Sequence, residues 1–416
     1  MRFLILTQYY PPEIGAAQAR LAAFAHELQR AGHAVEVVTA LPNYPGGSLE
    51  PSDRRTLGRR EMVDGVPVRR TWLLTGTGAG ARRLASYLSF AASGLVSGLA
   101  ASRPDVVFLE SPPLFLGVSG WMVARRAGAA FVLNISDLWP DSVRDLRILG
   151  DGPMLRAAER LESWLYRRAN AVTAVTEGIR SRLIEDKQVP ERKVLFMPNG
   201  VDLETFRPMP ADRAIRGRHG LPDGPLILFT GNHGYAQALE TVVLAALLAP
   251  NVTVVLVGAG SDKSRIEAFA AERGATNVRF LPPVPQEEIA GLYGLATAGL
   301  ATLRGIALME GARPAKALAV MGCAKPIIYS GSGEGAELVR SADAGIVVAP
   351  EDPQALASAM RRLAEDPAEV ARLGENGRRY VEANLSWPAL TDAWLAELGA
   401  LLRQDRSTVD GPHHAS

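Results

Sequence analysis

The sequence has almost no cysteine and almost no net charge. Its 416 residues contain a single cysteine, Cys323, which excludes an internal disulfide and a cysteine-based zinc site. Lys and Arg total 45 against 44 Asp and Glu, and this balance disfavours nucleic-acid binding through bulk charge. The Gly-x-Gly-x-x-Gly turn of dinucleotide-binding proteins is missing after the first strand of either half, and Ala40 stands where its acidic residue would lie. A nicotinamide oxidoreductase is therefore disfavoured.

A leader and long runs of large apolar residues are also missing. Only Arg2 precedes the short apolar run at the start, so we expect no secretory signal and a cytoplasmic protein. Residues 84–101 have transmembrane length, but Ala, Ser and Gly fill much of them, which predicts a helix packed on a sheet. Arg82 and Arg83 precede this helix and leave a second interpretation open, in which it contacts the anionic inner face of a membrane.

A short apolar strand, a glycine-bearing turn and an amphipathic helix occur in this order twice, about half the chain apart. The first copy spans residues 2–30 and has Gly15 at the end of its turn. The second spans residues 225–248, with the turn Gly231-Asn-His-Gly234. Helices that begin at the carboxyl ends of parallel strands present free amides and a positive dipole, so the two copies predict two anion-binding turns.

Short β-branched segments alternate with helical patterns along the rest of the chain, which is typical of parallel, doubly wound α/β sheets. The apolar fraction of 47% and the length predict two such domains. We place Rossmann-like domains at 1–206 and 207–385, a last helix over 386–403 and a disordered tail over 404–416. Residues 61–68 predict a hairpin-like excursion from the first sheet.

A set of short strings, spread over nearly the whole chain, gives a more specific signal. They are Tyr9-Tyr-Pro-Pro-Glu-Ile-Gly15, Arg30-Ala-Gly-His-Ala-Val-Glu-Val37, Pro42-Asn-Tyr-Pro45, Ser111-Pro-Pro113, Asp137-Leu-Trp-Pro-Asp-Ser142, Pro198-Asn-Gly-Val-Asp202, Gly231-Asn-His-Gly234, Val257-Gly-Ala-Gly-Ser261, Pro314-Ala-Lys316, Lys325-Pro-Ile-Ile328 and Gly345-Ile-Val-Val-Ala-Pro350. In this order and spacing the chain resembles the family 4 glycosyltransferases, and within them the bacterial amino-deoxysugar transferases of surface polysaccharide pathways.

This resemblance implies the GT-B architecture, in which two Rossmann-like domains face a cleft and the last helix crosses back to the first domain. It also implies a retaining, metal-independent transfer that needs no cofactor. The donor would be a UDP-sugar on the second domain, carrying an N-acetylated hexosamine or deoxyhexosamine. The acceptor, held mainly by the first domain, would be a saccharide, lipid-linked or small-molecule acceptor.

Three cations lie where they can meet the donor phosphates. Departure of a nucleoside diphosphate builds negative charge that preformed cations and amides stabilise. Arg304 follows a predicted strand and Lys316 lies in the first turn of the next helix, so both are candidate catalytic residues. Arg313 is a candidate donor-binding residue between them. The alternative for each is an ordinary exposed charge or, for Arg313, a loop cap.

The second turn departs from the pattern of the family. Gly231 and Gly234 let the backbone approach the phosphates, but Asn232 and Gln237 stand where many relatives carry Arg and Lys. More of the phosphate neutralisation then falls on the other cations and on helix amides. His233 can donate to a phosphate or a sugar hydroxyl, although a loop histidine is more often only exposed.

For the base, the resemblance implies a pocket made by Gly258, Gly260, Pro283 and Val284. Uracil is the expected base, and no residue pattern decides it against thymine or guanine.

For the ribose, the usual glutamate of the family is replaced by Ala319, which cannot accept a hydrogen bond through its side chain. Glu334 and Glu337 are the candidates to replace it. Glu337 can instead be explained by the dipole of its own helix.

On the first domain, Gly15 opens the first helix and is a candidate donor-binding residue that can face the donor phosphates, or alternatively an acceptor phosphate. Asp137 follows a predicted strand, where it can orient or deprotonate an acceptor hydroxyl, or cap backbone amides. Many relatives have a histidine at or next to Ser136, so here the diphosphate itself can take the acceptor proton. Trp139 and Tyr44 can stack on the acceptor or simply pack.

Two alternatives keep this architecture. The missing ribose glutamate and basic pair fit a catalytically weak or inactive binding partner or regulatory subunit, whereas Arg304, Lys316 and Gly231 favour the enzyme. A nucleotide-sugar epimerase would need a histidine and carboxylate set that is not visible in the sequence.

Overall fold

The computed structural model describes residues 1–13, 15–43, 47–76, 81–141, 152–306 and 309–409. They form two compact units, one made of residues 1–198 with the chain from Leu390 onward, the other of Asn199–Ala389. Each unit is a parallel sheet covered by helices, so both have the α/β class that the alternation of strand and helix patterns predicts.

The first unit has eight strands in the order β3-β4-β2-β1-β5-β6-β7-β8. Their bounds are β1 Arg2–Leu6, β2 Ala34–Ala40, β3 Gly58–Val63, β4 Val66–Thr71, β5 Val106–Ser111, β6 Ala130–Ile135, β7 Ala171–Ala174 and β8 Val194–Phe196. All pair in parallel except β3, which forms a hairpin with β4 through Asp64 and Gly65, both at positive φ. Two positive φ angles are what a two-residue hairpin turn requires. The excursion predicted at residues 61–68 is therefore the β3–β4 hairpin at the edge of the first sheet.

The helices of the first unit are α1 Ala16–Arg30, α2 Ala81–Leu99, α3 Leu116–Ala127, α4 Pro153–Arg168 and α5 Glu177–Glu185. Helix α2 buries Phe90 and Ala91 in the core beneath it, as the small residues of this segment predict. Of the helices in the described ranges, none combines the length and apolar character needed to cross a membrane.

The last helix of the chain completes the core of the first unit. This helix, Trp387–Val409, buries Trp394, whose ring centroid lies 5.1 Å from Phe24 and 5.6 Å from Phe108. The indole Nε1 donates to Thr173 Oγ1 at 3.0 Å, so its one polar atom is satisfied. The helix continues to Val409, whereas the tail from Gln404 was predicted to be disordered. The sequence allows this continuation, because it has no glycine or proline between Gly399 and Gly411.

The second unit has six parallel strands in the order β11-β10-β9-β12-β13-β14. They are β9 Leu226–Thr230, β10 Thr253–Val257, β11 Val278–Leu281, β12 Ala298–Thr302, β13 Ile327–Ser330 and β14 Gly345–Val348. The winding direction reverses between β9 and β12, and open sheets of this kind bind ligands outside the strand ends at that point. The turn after β9 therefore lies at the switch point.

The helices of the second unit are α6 Arg213–Arg218, α7 Leu239–Leu248, α8 Lys263–Glu272, α9 Gln286–Leu295, α10 Ala315–Gly322, α11 Gly333–Ser341, α12 Pro353–Glu365 and α13 Pro367–Asn384. The last helix of the chain, Trp387–Val409, is α14.

The second unit begins at Asn199 and not after Phe206, where the sequence placed the boundary. Val201 pairs with Ser386, and Arg378 Nη1 donates to the carbonyls of Phe206 and Gly322 at 3.0 and 2.6 Å. These bonds fix residues 199–206, which the sequence assigned to the first domain, to the second unit.

Candidate functional site

The turn after β9 lies backbone against backbone on the loop after β10. The amides of Gly231 and His233 donate to Val257 O and Ala259 O at 2.9 and 2.8 Å. A Cβ on Gly258 would overlap the carbonyl oxygen of Gly231, and one on Gly260 would overlap that of His233. Gly258 and Gly260, predicted in the base pocket, are thus required first of all for this close packing.

A short 3-10 turn, Tyr235–Gln237, follows and has all three carbonyls tied to the end of β12. Tyr235 O accepts from Arg304 Nε at 2.7 Å and Ala236 O from the Arg304 amide at 3.0 Å. Gln237 O accepts from Thr302 Oγ1 at 2.6 Å. In a helical turn, amides point opposite to carbonyls, so this anchoring directs the amide end of the turn away from β12.

Lys316 brings an ammonium to this turn. Its Nζ donates to Gln237 Oε1 at 2.6 Å and lies 3.6 Å from the centroid of the Phe229 ring. The side chain also runs beside Gly231, where an added Cβ would be 3.8 Å from Nζ. Within the described ranges no carboxylate lies at ion-pair distance from it. Lys316 is partly buried, and this burial lowers its pKa to about 7.

Arg304 lies on the other side of the same turn, and its charge is neutralised. Nη2 contacts Glu240 Oε1 at 2.7 Å and Nη1 contacts Glu351 Oε1 at 2.9 Å. Glu240 also pairs with Arg265 at 2.9 Å, and Glu351 accepts from the Gly305 amide at 3.0 Å. Two arginines thus meet two carboxylates, so this cluster adds no net positive charge to the site.

His233 is fully buried beneath the turn. Burial, with the positive charges of Lys263 and Lys316, lowers the pKa of His233 to about 4. The imidazole is therefore neutral near pH 7 and can offer one donor and one acceptor. Lys263, which the sequence analysis overlooked, holds the neighbouring loop, because its Nζ donates to Gly258 O and Leu281 O at 2.8 and 2.9 Å.

The other predicted donor-binding residues are spread around this turn. The side chain of Asn232 lies across Gly234 and Gly260, close to the position a Cβ would take on either. Pro283 is exposed, and Val284 and Arg313 are half-buried.

The two substitute glutamates differ in their surroundings. Glu334 lies in the first turn of α11, and its amide donates to Glu310 O at 2.7 Å, which joins it to the loop before Lys316. Glu337 is exposed and contacts Arg340 at 3.8 Å and Ser341 at 3.2 Å within its own helix. The contacts of Glu337 fit the helix-dipole explanation, and Glu334 stays a prediction for the ribose.

In the first unit, a buried network that the sequence analysis missed fixes the ends of β5 and β6. Glu110 accepts from Arg20 Nη2 at 2.6 Å, from Asn134 Nδ2 at 2.5 Å and from Ser136 Oγ at 2.5 Å. Charged residues inside otherwise apolar strand and helix patterns are the signal that could have revealed it. Asp137 follows this network and is exposed.

The remaining acceptor-side residues have mixed positions. Gly15 precedes α1 with an extended φ of 176°, and the side chain of Gln18 folds over it. Trp139 packs edge-on against Phe115 at 5.8 Å between centroids. Tyr44 lies outside the described residues.

Comparison with known proteins identifies the family of the chain. Residues 15–200 match the family model for the glycosyl transferase 4-like domain, and residues 212–380 match that for glycosyl transferases group 1. The chain is 29% identical over 293 residues to the putative colanic acid biosynthesis glycosyl transferase WcaI of Escherichia coli K12, covering 68% of this chain and 72% of that protein. It is 28% identical over 410 residues to the D-inositol 3-phosphate glycosyltransferase of Kineococcus radiotolerans, covering 91% and 92%.

A solved structure gives the same fold over nearly the full length. The Anabaena Alr3699/HepE protein in complex with UDP-glucose superposes with a TM-score of 0.71 at 17% identity, covering 96% of this chain and all of that one. At this identity the likeness concerns the fold.

The packing of the two loops predicts the effect of an added methyl group. Gly258→Ala should lower the free energy of unfolding by about 3 kcal/mol or more, because the methyl group meets backbone and φ is +146°. Gly217→Ala, in helix α6 with open space around it, should change the free energy by at most about 1 kcal/mol, in the stabilising direction. Urea unfolding of both variants measures this difference, and equal stability of the two would contradict the loop geometry.

Proposed function

Because the chain belongs to the family 4 glycosyltransferases and has their GT-B fold, we propose that it transfers a sugar from a UDP-sugar to a saccharide, lipid-linked or small-molecule acceptor. The sugar is an N-acetylated hexosamine or deoxyhexosamine, and the transfer is retaining and metal-independent. These finer assignments rest on the motifs of the sequence. The single observation that carries the donor site is the ammonium of Lys316, which lies beside the Gly231 turn without a carboxylate partner in the described ranges.

The proposed chemistry depends on the diphosphate as a leaving group. When the anomeric bond breaks, negative charge grows on the phosphate oxygen, and a cation already in place stabilises it without reorganising solvent. Loss of one such donor costs roughly 3–4 kcal/mol in the transition state. Lys316 supplies this charge, and the amides of the 3-10 turn and the neutral His233 supply hydrogen bonds. Asp137 or the departing diphosphate takes the acceptor proton.

The alternative of a binding partner without catalysis also has support in the structure. Arg304, one of the two expected cations, is neutralised by Glu240 and Glu351, and Ala319 leaves the family's ribose position without a carboxylate. Nucleotide binding separates the two hypotheses, because an enzyme must bind its donor.

A thermal-shift panel of UDP, GDP, dTDP and UDP-N-acetylglucosamine tests the donor. UDP at about 100 times its Kd should add about 2.7 kcal/mol to the stability of the protein and raise its midpoint by roughly 5–10 °C. Lys316→Ala should lose most of this shift. The control Arg273→Ala removes a cation that likewise lies over a phenylalanine, Phe269, at 5.1 Å but outside the site, and should keep it.

The pattern of responses decides between the hypotheses. A shift with GDP alone would mean that the donor base is guanine and not uracil, while the proposed phosphate site would still stand. No shift with any nucleotide would refute the donor site and favour the partner subunit.

The pKa of Lys316 predicts proton uptake on nucleotide binding. The free ammonium has a pKa of about 7, and a bound diphosphate raises it, so between pH 7 and 10 the complex holds more protons than the free protein. UDP affinity should therefore fall as pH rises from 7.5 to 8.5, where the phosphates of UDP are nearly fully ionised and its uracil N3–H is still largely protonated. Calorimetry in two buffers of different ionisation heat should show uptake of nearly one proton at pH 8.5.

Lys316→Arg provides the matched control for this linkage. Arginine stays charged throughout the range, so this variant should bind UDP with little pH dependence and without proton uptake. Equal pH dependence in both proteins would show that another group titrates.

We also propose that α2 and α3 form a face that contacts an anionic membrane, which fits a lipid-linked acceptor. The two helices pack side by side, with Ser119 Oγ donating to Ala91 O at 2.7 Å. Four large apolar side chains on them are 42–69% exposed, namely Leu88, Val96, Leu99 and Met122. Four exposed arginines accompany them, Arg82, Arg83, Arg125 and Arg126, and neither helix contains an acidic residue. Apolar insertion with surrounding cations is the chemistry of an interfacial helix.

Co-sedimentation with vesicles tests this face. The protein should bind vesicles that contain phosphatidylserine and not neutral ones, and the double change Arg82→Gln and Arg83→Gln should cost about 2 kcal/mol of binding free energy. The same double change at Arg213 and Arg218, exposed in the other unit, should have no effect. Binding that does not depend on Arg82 and Arg83 would place the contact elsewhere.

A further inference from the structure

Tyr235 is a large aromatic side chain left 63% exposed beside the phosphate turn. It follows Gly234 directly and begins the 3-10 turn whose last residue, Gln237, accepts from Lys316 Nζ at 2.6 Å. The ring of Tyr235 is nevertheless held from one side by a neighbouring side chain.

One face of the Tyr235 ring is backed by a guanidinium. Arg304 Cζ lies 4.0 Å from the ring centroid. Arg304 cannot move away easily, because Glu240, Glu351 and the carbonyl of Tyr235 hold it at 2.7, 2.9 and 2.7 Å. A stacked cation that is already neutralised by carboxylates acts here as a rigid support. The ring is thus fixed in place, while more than half of its surface remains open.

The position of the ring suits a sugar attached to a phosphate at Lys316. In a nucleoside diphosphate sugar, the pyranose is bonded to the distal phosphate, so it extends only a few ångströms beyond the cation that holds that phosphate. A pyranose presents C–H groups on its less polar face, and an aromatic ring offers a flat, negatively polarised surface to them. Ile306, 43% exposed and bonded through its amide to Arg304 O at 2.9 Å, adds a second apolar surface from the next loop.

We infer that the open face of Tyr235 is a stacking platform for the sugar ring of the donor, held in position by the Arg304–Glu240–Glu351 cluster. In this arrangement Lys316 binds the phosphate and Tyr235 binds the sugar. Arg304 is a positioning residue that supports the turn and the ring and does not neutralise the phosphate. This inference rests on the proposed function, since it requires a diphosphate at Lys316.

Calorimetric titration with UDP and with UDP-N-acetylglucosamine tests the platform by separating the sugar from the nucleotide. Tyr235→Ala should leave the Kd for UDP within about twofold of the wild type and weaken UDP-N-acetylglucosamine about tenfold, which corresponds to ~1.4 kcal/mol. The variant should fold, because the bond from Arg304 Nε goes to the backbone carbonyl of residue 235 and survives the change. Tyr235→Phe and Tyr235→Trp keep an aromatic face and should bind both ligands as the wild type does.

Tyr380→Ala is the control, since Tyr380 lies on α13 outside the site, and it should change neither affinity. An equal loss of both ligands in Tyr235→Ala would mean that the ring contacts the nucleotide, and unchanged affinity for both would mean that it contacts neither. Either result overturns the platform while the phosphate site stands. Failure of the wild-type protein to bind UDP at all would refute the proposed function and the platform with it.

Discussion

The proposed donor site depends on an ammonium that is held by a neutral amide and an aromatic ring. Gln237 Oε1 and the face of Phe229 fix Lys316 at 2.6 and 3.6 Å without cancelling its charge. A carboxylate in either place would hold the side chain more firmly, but it would also compete with a phosphate for the cation. Burial lowers the pKa of Lys316 to about 7. Binding of a phosphate ligand and binding of a proton are therefore linked at Lys316.

The two cations expected from the sequence divide the work between them. Arg304 has its charge met by Glu240 and Glu351, 64 and 47 residues away, and contributes rigidity to the Tyr235–Gln237 turn. Lys316 keeps its charge for a ligand. Arginine suits the first task because its planar fork makes several directed bonds at once, and lysine suits the second because its charge is compact. In the proposed site, Lys316 thus serves for binding and Arg304 for support.

Much of the fold follows from local pattern, and the site follows less completely. Strand and helix alternation predicted two parallel α/β domains, and the glycines of 231–234 predicted a turn at the end of a strand, because period and turn chemistry are local properties. That this turn lies at the switch point follows from strand order, which is not local. The partners of Arg304 come from distant elements, so the sequence alone showed a cation and not its neutralisation. The same limit applies to Glu110, whose three donors come from α1, β6 and the loop after β6. The sequence assigned residues 199–206 to the first domain because their bonds to Ser386 and Arg378 come from residues equally far along the chain.

The first unit contains both ends of the chain, and this bears on how the protein is made. Domains generally fold as they leave the ribosome, beginning at the N-terminus. Here the strands and helices up to Pro198 are synthesised before the second unit. The pocket around Phe3, Phe24 and Phe108, however, is not filled until Trp394 of the last helix has been synthesised. That pocket must stay open, or be covered by something else, while nearly two hundred further residues are synthesised and fold as the second unit. The first unit is thus begun before the second and completed after it.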